Sequence, residues 1–253
     1  MTAKMLPPDL QDRVARAESV VVFTGAGVSR ESGLATFRGE EGLWETYRPE
    51  ELATPQAFQA RPGVVWRWYA WRWRQAAEAS PNPGHHALAR LPEVFPAVTL
   101  VTQNVDGLHQ RAGSRDPIEV HGSVLVARCH ACRREMPMED AVGRSPEEPP
   151  ACDCGGLYRP AVVWFGEPLP REALERAFEA AQGADLLLSV GTSAQVFPAA
   201  GVLEIACKAG AAVVEVNPQA TGFSHVADLR ITRPAGEALP ELVEEMASCR
   251  PGT

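Results

Sequence analysis

Ser19-Val20-Val21-Val22-Phe23-Thr24-Gly25-Ala26-Gly27 is the stretch on which the fold turns. A short unbroken apolar run closed by glycine reads as a strand covered on both faces, the situation of a parallel sheet sandwiched between helices. Further runs of this kind lie at 97–102, 161–165, 185–190 and 211–216, with a weaker one at 228–232, and helical patterns over 170–182 and 198–208 separate the late ones. The alternation predicts an α/β fold with a doubly wound, Rossmann-like parallel sheet. In such folds a glycine-rich strand-to-helix turn lets the backbone approach a pyrophosphate, while the helix N-terminus offers free N–H groups. Gly25-Ala26-Gly27-Val28-Ser29-Arg30-Glu31-Ser32-Gly33 supplies that turn. Its third glycine falls six residues after the second rather than three, so the fingerprint of hydride-transferring dehydrogenases is not met. A tight turn without a ligand stays open at this point.

Two stretches interrupt the alternation, 40–92, helical and rich in tryptophan, and 124–160, which carries cysteines. The expected division is a nucleotide-binding domain from 1–39, 93–123 and 161–253, a helical insert over 40–92, and a metal-binding insert over 124–160. Cys129-x-x-Cys132 and, nineteen residues on, Cys152-x-Cys154 followed by Gly155-Gly156 read as a zinc ribbon. Four thiolates suit a tetrahedral structural zinc with no open position for catalysis. His130, between the first pair, is the substitute ligand should one cysteine fail. Cys207 and Cys249 sit in helix-like segments without a partner motif and read as packing residues.

The chain has 253 residues and a formal net charge of −8, which argues against nucleic acid as a direct ligand and leaves basic protein segments as electrostatically acceptable partners. Its opening lacks the apolar run of a signal peptide, and no stretch of about 18 apolar residues occurs, so no membrane span and residence in the cytoplasm are expected. Paired cysteines in that reducing compartment are metal ligands rather than disulfides. The sequence does not fix the oligomeric state, and a monomer is compatible with it.

Polar groups cluster where an open α/β sheet presents its crevice. Thr36-Phe37-Arg38-Gly39 places a ring and a guanidinium just beyond the glycine turn. Thr102-Gln103-Asn104-Val105-Asp106-Gly107-Leu108-His109 ends the second long strand with amide and carboxylate side chains able to hold ribose hydroxyls and a carboxamide, although helix capping by Asn104 or Asp106 fits the same residues. Among the six histidines, His121 closes the run Ile118-Glu119-Val120 and precedes Gly122, so it can project from a strand end into the crevice as a general base or serve structure alone. In Trp66-Arg67-Trp68-Tyr69-Ala70-Trp71-Arg72, the phenol of Tyr69 and the guanidinium of Arg72 share a helix face and could bind a carboxylate, although the pattern alone favours an amphipathic helix with packed tryptophans and solvated arginines.

Taken in order, Gly25 to Gly33, Phe37-Arg38-Gly39, Gln103-Asn104-Val105-Asp106, His121-Gly122, the four cysteines, Val162-Val163-Trp164-Phe165-Gly166-Glu167, Gly191-Thr192-Ser193 and Val216-Asn217 resemble the sirtuin family, the NAD-dependent protein lysine deacylases, from about residue 10 to residue 246. The resemblance implies that NAD contacts Gly25, Ala26, Gly27, Ser29 and Trp44, with Phe37 and Arg38 near its reacting end. Gln103 and Asn104 then meet the ribose, Asp106 the nicotinamide carboxamide, Gly191, Thr192 and Ser193 phosphate, and Asn217, Pro218, Gln219 and Ala235 the adenosine half. An acyl-lysine peptide adds as a strand against Val163, Trp164, Phe165, Gly166 and Glu167 with little sequence preference. The implied reaction is acyl transfer to ADP-ribose, with His121 and Asn104 as catalytic residues. The acyl oxygen attacks the ribose, nicotinamide leaves, and His121 deprotonates a ribose hydroxyl, giving free lysine and O-acyl-ADP-ribose. NAD is consumed as a co-substrate.

Tyr69-x-x-Arg72, with the small residue Ala53 in Leu52-Ala53-Thr54-Pro55, resembles the class III branch that reads succinyl and malonyl groups. Desuccinylation or demalonylation with deacetylation as a second activity is therefore expected; an acetyl-preferring deacetylase and a protein ADP-ribosyltransferase are the alternatives. Ala35-Thr36 and Ala161 depart from the family pattern without touching a residue assigned to chemistry.

Overall fold

The computed structural model describes residues 4–37 and 42–250, without the side chains of Trp44 and Glu45. Six strands, β1 (Ser19–Thr24), β2 (Ala97–Thr102), β3 (Ile118–Glu119), β7 (Leu186–Val190), β8 (Ala212–Val216) and β9 (Leu229–Ile231), form a sheet in the order β3-β2-β1-β7-β8-β9. Every pairing in it is parallel. The strand at 19–24 decides this arrangement as its composition demands. Val20 and Val22 enter one core with the helices Pro8–Arg16, Pro83–Ala89 and Ala235–Cys249, whereas Val21 and Phe23 enter the opposite core with Arg171–Gln182 and Gly201–Lys208. Alternate side chains of one strand thus feed two cores, which is why no polar position interrupts the run.

The remaining strands, β4 (Gly122–Cys129), β5 (Glu135–Pro137) and β6 (Tyr158–Val162), form a separate antiparallel sheet in the order β5-β4-β6. The helix Pro62–Glu78 packs on it, and Trp66, Trp68, Tyr69, Val124, Ala127, Tyr158 and Trp164 belong to a third apolar core. Gly122 makes the transfer between sheets: its φ is +74°, and a Cβ there would lie 2.1 Å from the Ala161 carbonyl oxygen.

One strand differs from the sequence reading. The run at 161–165 does not join the parallel sheet: β6 ends at Val162, opposite Gly122 of β4, and the chain continues with Val163 N–H donating to His121 O (2.9 Å) and Phe165 N–H to Ala53 O (2.9 Å). Val162 and Trp164 are buried in the core of the antiparallel layer while Phe165 is exposed, and an apolar run in sequence does not distinguish these situations from burial inside a sheet. Among the described residues, no helix is long and apolar enough to cross a membrane.

Candidate active site and metal centre

Strand order reverses between β1 and β7, since the chain leaves β1 toward β2 on one side and returns as β7 on the other. Ligand crevices of open α/β sheets lie beyond the carboxyl ends of the strands at such a point. There Gly25 N–H donates to Val190 O (3.1 Å) and Gly27 N–H to Gly191 O (2.8 Å). A Cβ on Gly25 would meet Thr192 and the Gly191 carbonyl at 2.9 Å, and one on Gly27 would meet Gly191 backbone at 2.7 Å. The two turns therefore lie main chain against main chain, forming a floor that a pyrophosphate can approach closely. Above it opens a cleft of about 680 Å³.

His121 lines this cleft. Its Nδ1 lies 3.1 Å from the Gln103 carbonyl oxygen, which can only accept, so the neutral ring carries its proton on Nδ1 and leaves Nε2 as the base. Burial lowers the imidazole's pKa, opposed by that carbonyl contact, which keeps the ring neutral near pH 7. Gln103 and Asn104 also line the cleft. The Gln103 amide donates to Thr192 Oγ1 (2.7 Å), and Asn217 Nδ2 donates to Thr192 O (2.9 Å), tying together the ends of β2, β7 and β8.

Ser29 and Asp106 stand behind this wall rather than on it. Ser29 Oγ donates to Asp106 Oδ2 (2.8 Å) and receives Asn104 Nδ2 (3.0 Å) and His85 Nε2 (3.4 Å). That uses its donor and both acceptor positions. In this arrangement the Ser29 hydroxyl, assigned from its motif to the NAD contact, holds the Asn104 amide at the edge of the cleft. The other oxygen of Asp106 accepts from Leu108 N–H (3.0 Å), and burial raises the carboxyl's pKa against those hydrogen bonds. Beneath lies a buried histidine pair, ring centroids 4.9 Å apart. Burial holds His85 down at about 4 and His109 at about 3. His85 lies in the first turn of the helix Pro83–Ala89, and its membership in this network has no local signal in the sequence, because Ser29 lies 56 positions away.

Ala53, Tyr69 and Trp164 form the far wall of the cleft with Val163, Phe165, Gly166 and Glu167. Trp164 Nε1 donates to Tyr69 Oη (3.0 Å), and burial raises the Tyr69 pKa well above the phenol range, so the hydroxyl stays protonated. Arg72 is 9 % exposed and does not line the cleft directly; its guanidinium carbon sits 5.2 Å from the Phe37 ring centroid, and Phe37 is on the cleft surface. Its Nη1 has no hydrogen-bond partner among the described residues, and desolvation lowers its pKa. In the segment Val163 to Glu167 the N–H groups of Val163, Phe165 and Glu167 donate to main-chain carbonyls, and that of Trp164 to Glu167 Oε2 (2.9 Å). Arg38 and the side chain of Trp44 lie outside the described residues.

Gly191, Thr192, Ser193, Asn217, Pro218 and Gln219 line the opposite end of the cleft. Ala235 is not among the residues lining the cleft: it opens the helix Ala235–Cys249, 4 % exposed, with its carbonyl where a Cβ on Gly84 would fall 3.0 Å away. Gln195, Val196, Phe197, Pro198, Ala220 and Thr221 also line the cleft, unforeseen. They follow Gly191-Thr192-Ser193 after one residue and Asn217-Pro218-Gln219 directly, so treating those motifs as whole loops would have found them.

The Sγ atoms of Cys129, Cys132, Cys152 and Cys154 lie within 4.8 Å of one another. Cys129–Cys154 is 3.5 Å and Cys132–Cys152 is 3.7 Å. Tetrahedral zinc with Zn–S near 2.3 Å requires sulfurs about 3.8 Å apart, so the four thiolates fit the ion. Gly156 leaves them room, since a Cβ there would stand 2.8 Å from Cys129 Sγ. His130 is outside the cluster; its Nδ1 accepts from Leu157 N–H (3.0 Å). All four positions being taken by sulfur, the ion would supply fold and no chemistry.

Sheet order, backbone floor and tetrathiolate insert together define a Rossmann-like, dinucleotide-binding protein with a structural zinc module. The chain belongs to the Sir2 family, whose model matches residues 25–198. It is 53% identical over 239 residues to NAD-dependent protein deacylase 2 of Pyrobaculum aerophilum, covering 94% of this chain and 95% of that one. It superposes on a Sir2 homologue mutant in complex with 2'-O-acetyl ADP ribose with a TM-score of 0.89, at 46% identity over 96% of this chain and 97% of the other. A Sir2–p53 peptide–NAD+ complex gives a TM-score of 0.86 at 33% identity, over 96% and 98% of the two chains.

Proposed function

We propose that the protein is an NAD-dependent protein-lysine deacylase that removes succinyl and malonyl as well as acetyl groups, consuming NAD and one water and releasing nicotinamide, free lysine and O-acyl-ADP-ribose. The observation that carries the reading is His121, with Nε2 available as base, on a cleft whose walls are the glycine floor on one side and Ala53 and Tyr69 on the other. NAD would supply the electrophilic ribose carbon and the nicotinamide leaving group. Gly25, Ala26, Gly27, Gly191, Thr192 and Ser193 hold its phosphates; Asn217, Pro218 and Gln219 border the adenosine half; Gln103 and Asn104 orient the reacting ribose. Phe37, beside Arg72, covers the reacting end and shields it from bulk water while nicotinamide departs. His121 Nε2 takes the proton of a ribose hydroxyl, and the Gln103 carbonyl keeps the ring in the tautomer that can do so. The relative bound to 2'-O-acetyl ADP ribose supports this product class.

Of the N–H groups between Val163 and Glu167, only that of Gly166 lacks an acceptor among the described residues, so an added peptide strand is held mainly through its own N–H groups reaching segment carbonyls. The acidic acyl preference rests on Arg72. A guanidinium that is 9 % exposed with an unpartnered Nη1 is costly to keep, and a ligand carboxylate offsets that cost.

Purified protein with NAD and matched acetyl-, malonyl- and succinyl-lysine peptides tests the whole reading. Nicotinamide and free lysine should appear in equal amounts, with label from tagged NAD on a small acyl ester. Label on protein would mean ADP-ribosyl transfer instead, and turnover of acetyl peptide alone would remove the acidic acyl preference.

A further inference from the structure

Trp164 sits between two structures that the reaction uses separately. Below it, Arg159, 4 % exposed, donates to Glu167 at 2.5 and 2.9 Å and to Val162 O at 2.7 Å, and its guanidinium carbon lies 3.3 Å from the Trp164 ring centroid. Glu167 also receives the Trp164 N–H. The indole is thus clamped through its face by buried Arg159 and through its backbone by the partly exposed Glu167 paired with that arginine. Above it, Phe58 and Tyr69 pack against the ring at centroid distances of 5.4 and 6.2 Å.

The clamp fixes a direction of hydrogen bonding. An indole N–H can only donate, so Trp164 Nε1 at 3.0 Å makes the Tyr69 oxygen an acceptor toward it. The phenol, kept neutral by burial, then has a single proton left to give, and no acceptor for it is present among the described residues. One helical turn away, Arg72 Nη1 is a second donor without a partner. Two unpartnered donors on the same helix face, one of them locked as a donor by a third residue, suit a ligand group that only accepts.

We propose that Trp164 is a positioning residue for acyl selectivity, acting through Tyr69: its N–H obliges the phenol to donate, favouring acyl groups that end in a carboxylate over acetyl. This rests on the acidic-acyl reading above. Without the indole N–H, the hydroxyl is free to turn its proton toward other groups, and the preference for an acceptor weakens while the pocket keeps its shape.

The test is the ratio of kcat/KM for succinyl- over acetyl-lysine peptide in Trp164→Phe, Tyr69→Phe and the double variant. One hydrogen bond of this kind corresponds to about a tenfold fall in that ratio for Trp164→Phe, expressed in KM for the succinyl peptide. Because Trp164 acts through the phenol, Tyr69→Phe should give at least the same fall and the double variant no more than Tyr69→Phe alone. Replacing Trp164 by benzothienylalanine, which keeps the bicyclic ring and lacks the N–H, repeats the measurement with packing intact should the phenylalanine variant not fold. A ratio unchanged by loss of the N–H, or equal falls on both substrates, overturns the proposal. If Arg72→Met abolishes succinyl turnover while loss of the Trp164 N–H leaves the ratio alone, the inference fails and the acidic-acyl reading stands. If the unaltered protein does not turn over succinyl peptide, both fail together.

Discussion

Replacing Arg72 by Met separates the acyl head from the rest of the reaction. The guanidinium is nearly solvent-free, packs 5.2 Å from the Phe37 ring centroid and has no partner for Nη1, whereas methionine fills much of the same space without charge. A bound succinyl carboxylate then loses a charge-assisted contact and is left desolvated beside Tyr69. Breaking a buried charge pair in this way costs about 3 kcal/mol at the lower end of the usual range, or roughly two orders of magnitude in kcat/KM for the succinyl peptide. The loss should fall in KM, because the carboxylate is remote from the bond that breaks. Acetyl-lysine, which offers no carboxylate, should be turned over within a few fold of the unaltered protein. Stability provides a second reading: the ring contacts to Phe37 and Trp71 cost about 1 kcal/mol each when lost, and the attraction to buried Asp106 goes with them, set against the several kcal/mol of desolvation that removing the charge relieves. The opposed contributions should leave the melting temperature within a few degrees of the unaltered protein. Parallel steady-state assays on the two peptides, with a thermal melt, decide the matter. Equal losses on both substrates, or a melting temperature that drops sharply, would show that Arg72 supports the helix and does not read the acyl group.

His121→Ala should lower turnover by roughly two to four orders of magnitude while leaving peptide affinity, measured by calorimetry, within a few fold. The acid limb of kcat/KM should lie below pH 6.5, because burial depresses the imidazole pKa and the base form is lost only as pH falls through that lowered value; a limb near pH 7 or above contradicts the assignment. His85, buried and neutral with a pKa near 4, contributes stability that is complete above about pH 6.5 and lost as pH falls toward 4. At pH 5 the loss from His85 alone is about 2 kcal/mol, seen as a lower urea midpoint than at pH 7.5, and His85→Gln should flatten that dependence. Stripping metal with a strong chelator should unfold the β5-β4-β6 sheet and release about one zinc per chain, with the parallel sheet's circular dichroism largely kept; an unchanged melt would refute a structural role for the ion.

What the sequence disclosed follows from what each signal measures. The strand at 19–24 was legible because burial on two faces leaves no other reading for six such residues, and the cysteines because sulfur spacing is chemistry independent of context. The segment at 161–165 was misplaced because apolar content says nothing about the partner strand. Its motif marks Ser29 for the cofactor site, but the groups its hydroxyl holds become visible only when Asn104, Asp106 and His85 arrive from elsewhere in the chain. Arg72 and Tyr69 share a helix face as their spacing required, yet Phe37 lies against the guanidinium, and no one-dimensional pattern reveals which ring covers a charge.

The joint between Gly25, Gly27 and Gly191 has an evolutionary corollary. Gly191 holds φ at +58°, and a Cβ on it would fall 2.3 Å from Val28 N. With peptide planes touching and no rotamer available to adjust, these positions admit almost no neutral drift. Gradations in dinucleotide affinity among natural or laboratory-selected variants must then arise around the rim, at residues such as Gln195, Gln219 and Thr221, where side chains can be exchanged without prising two strands apart.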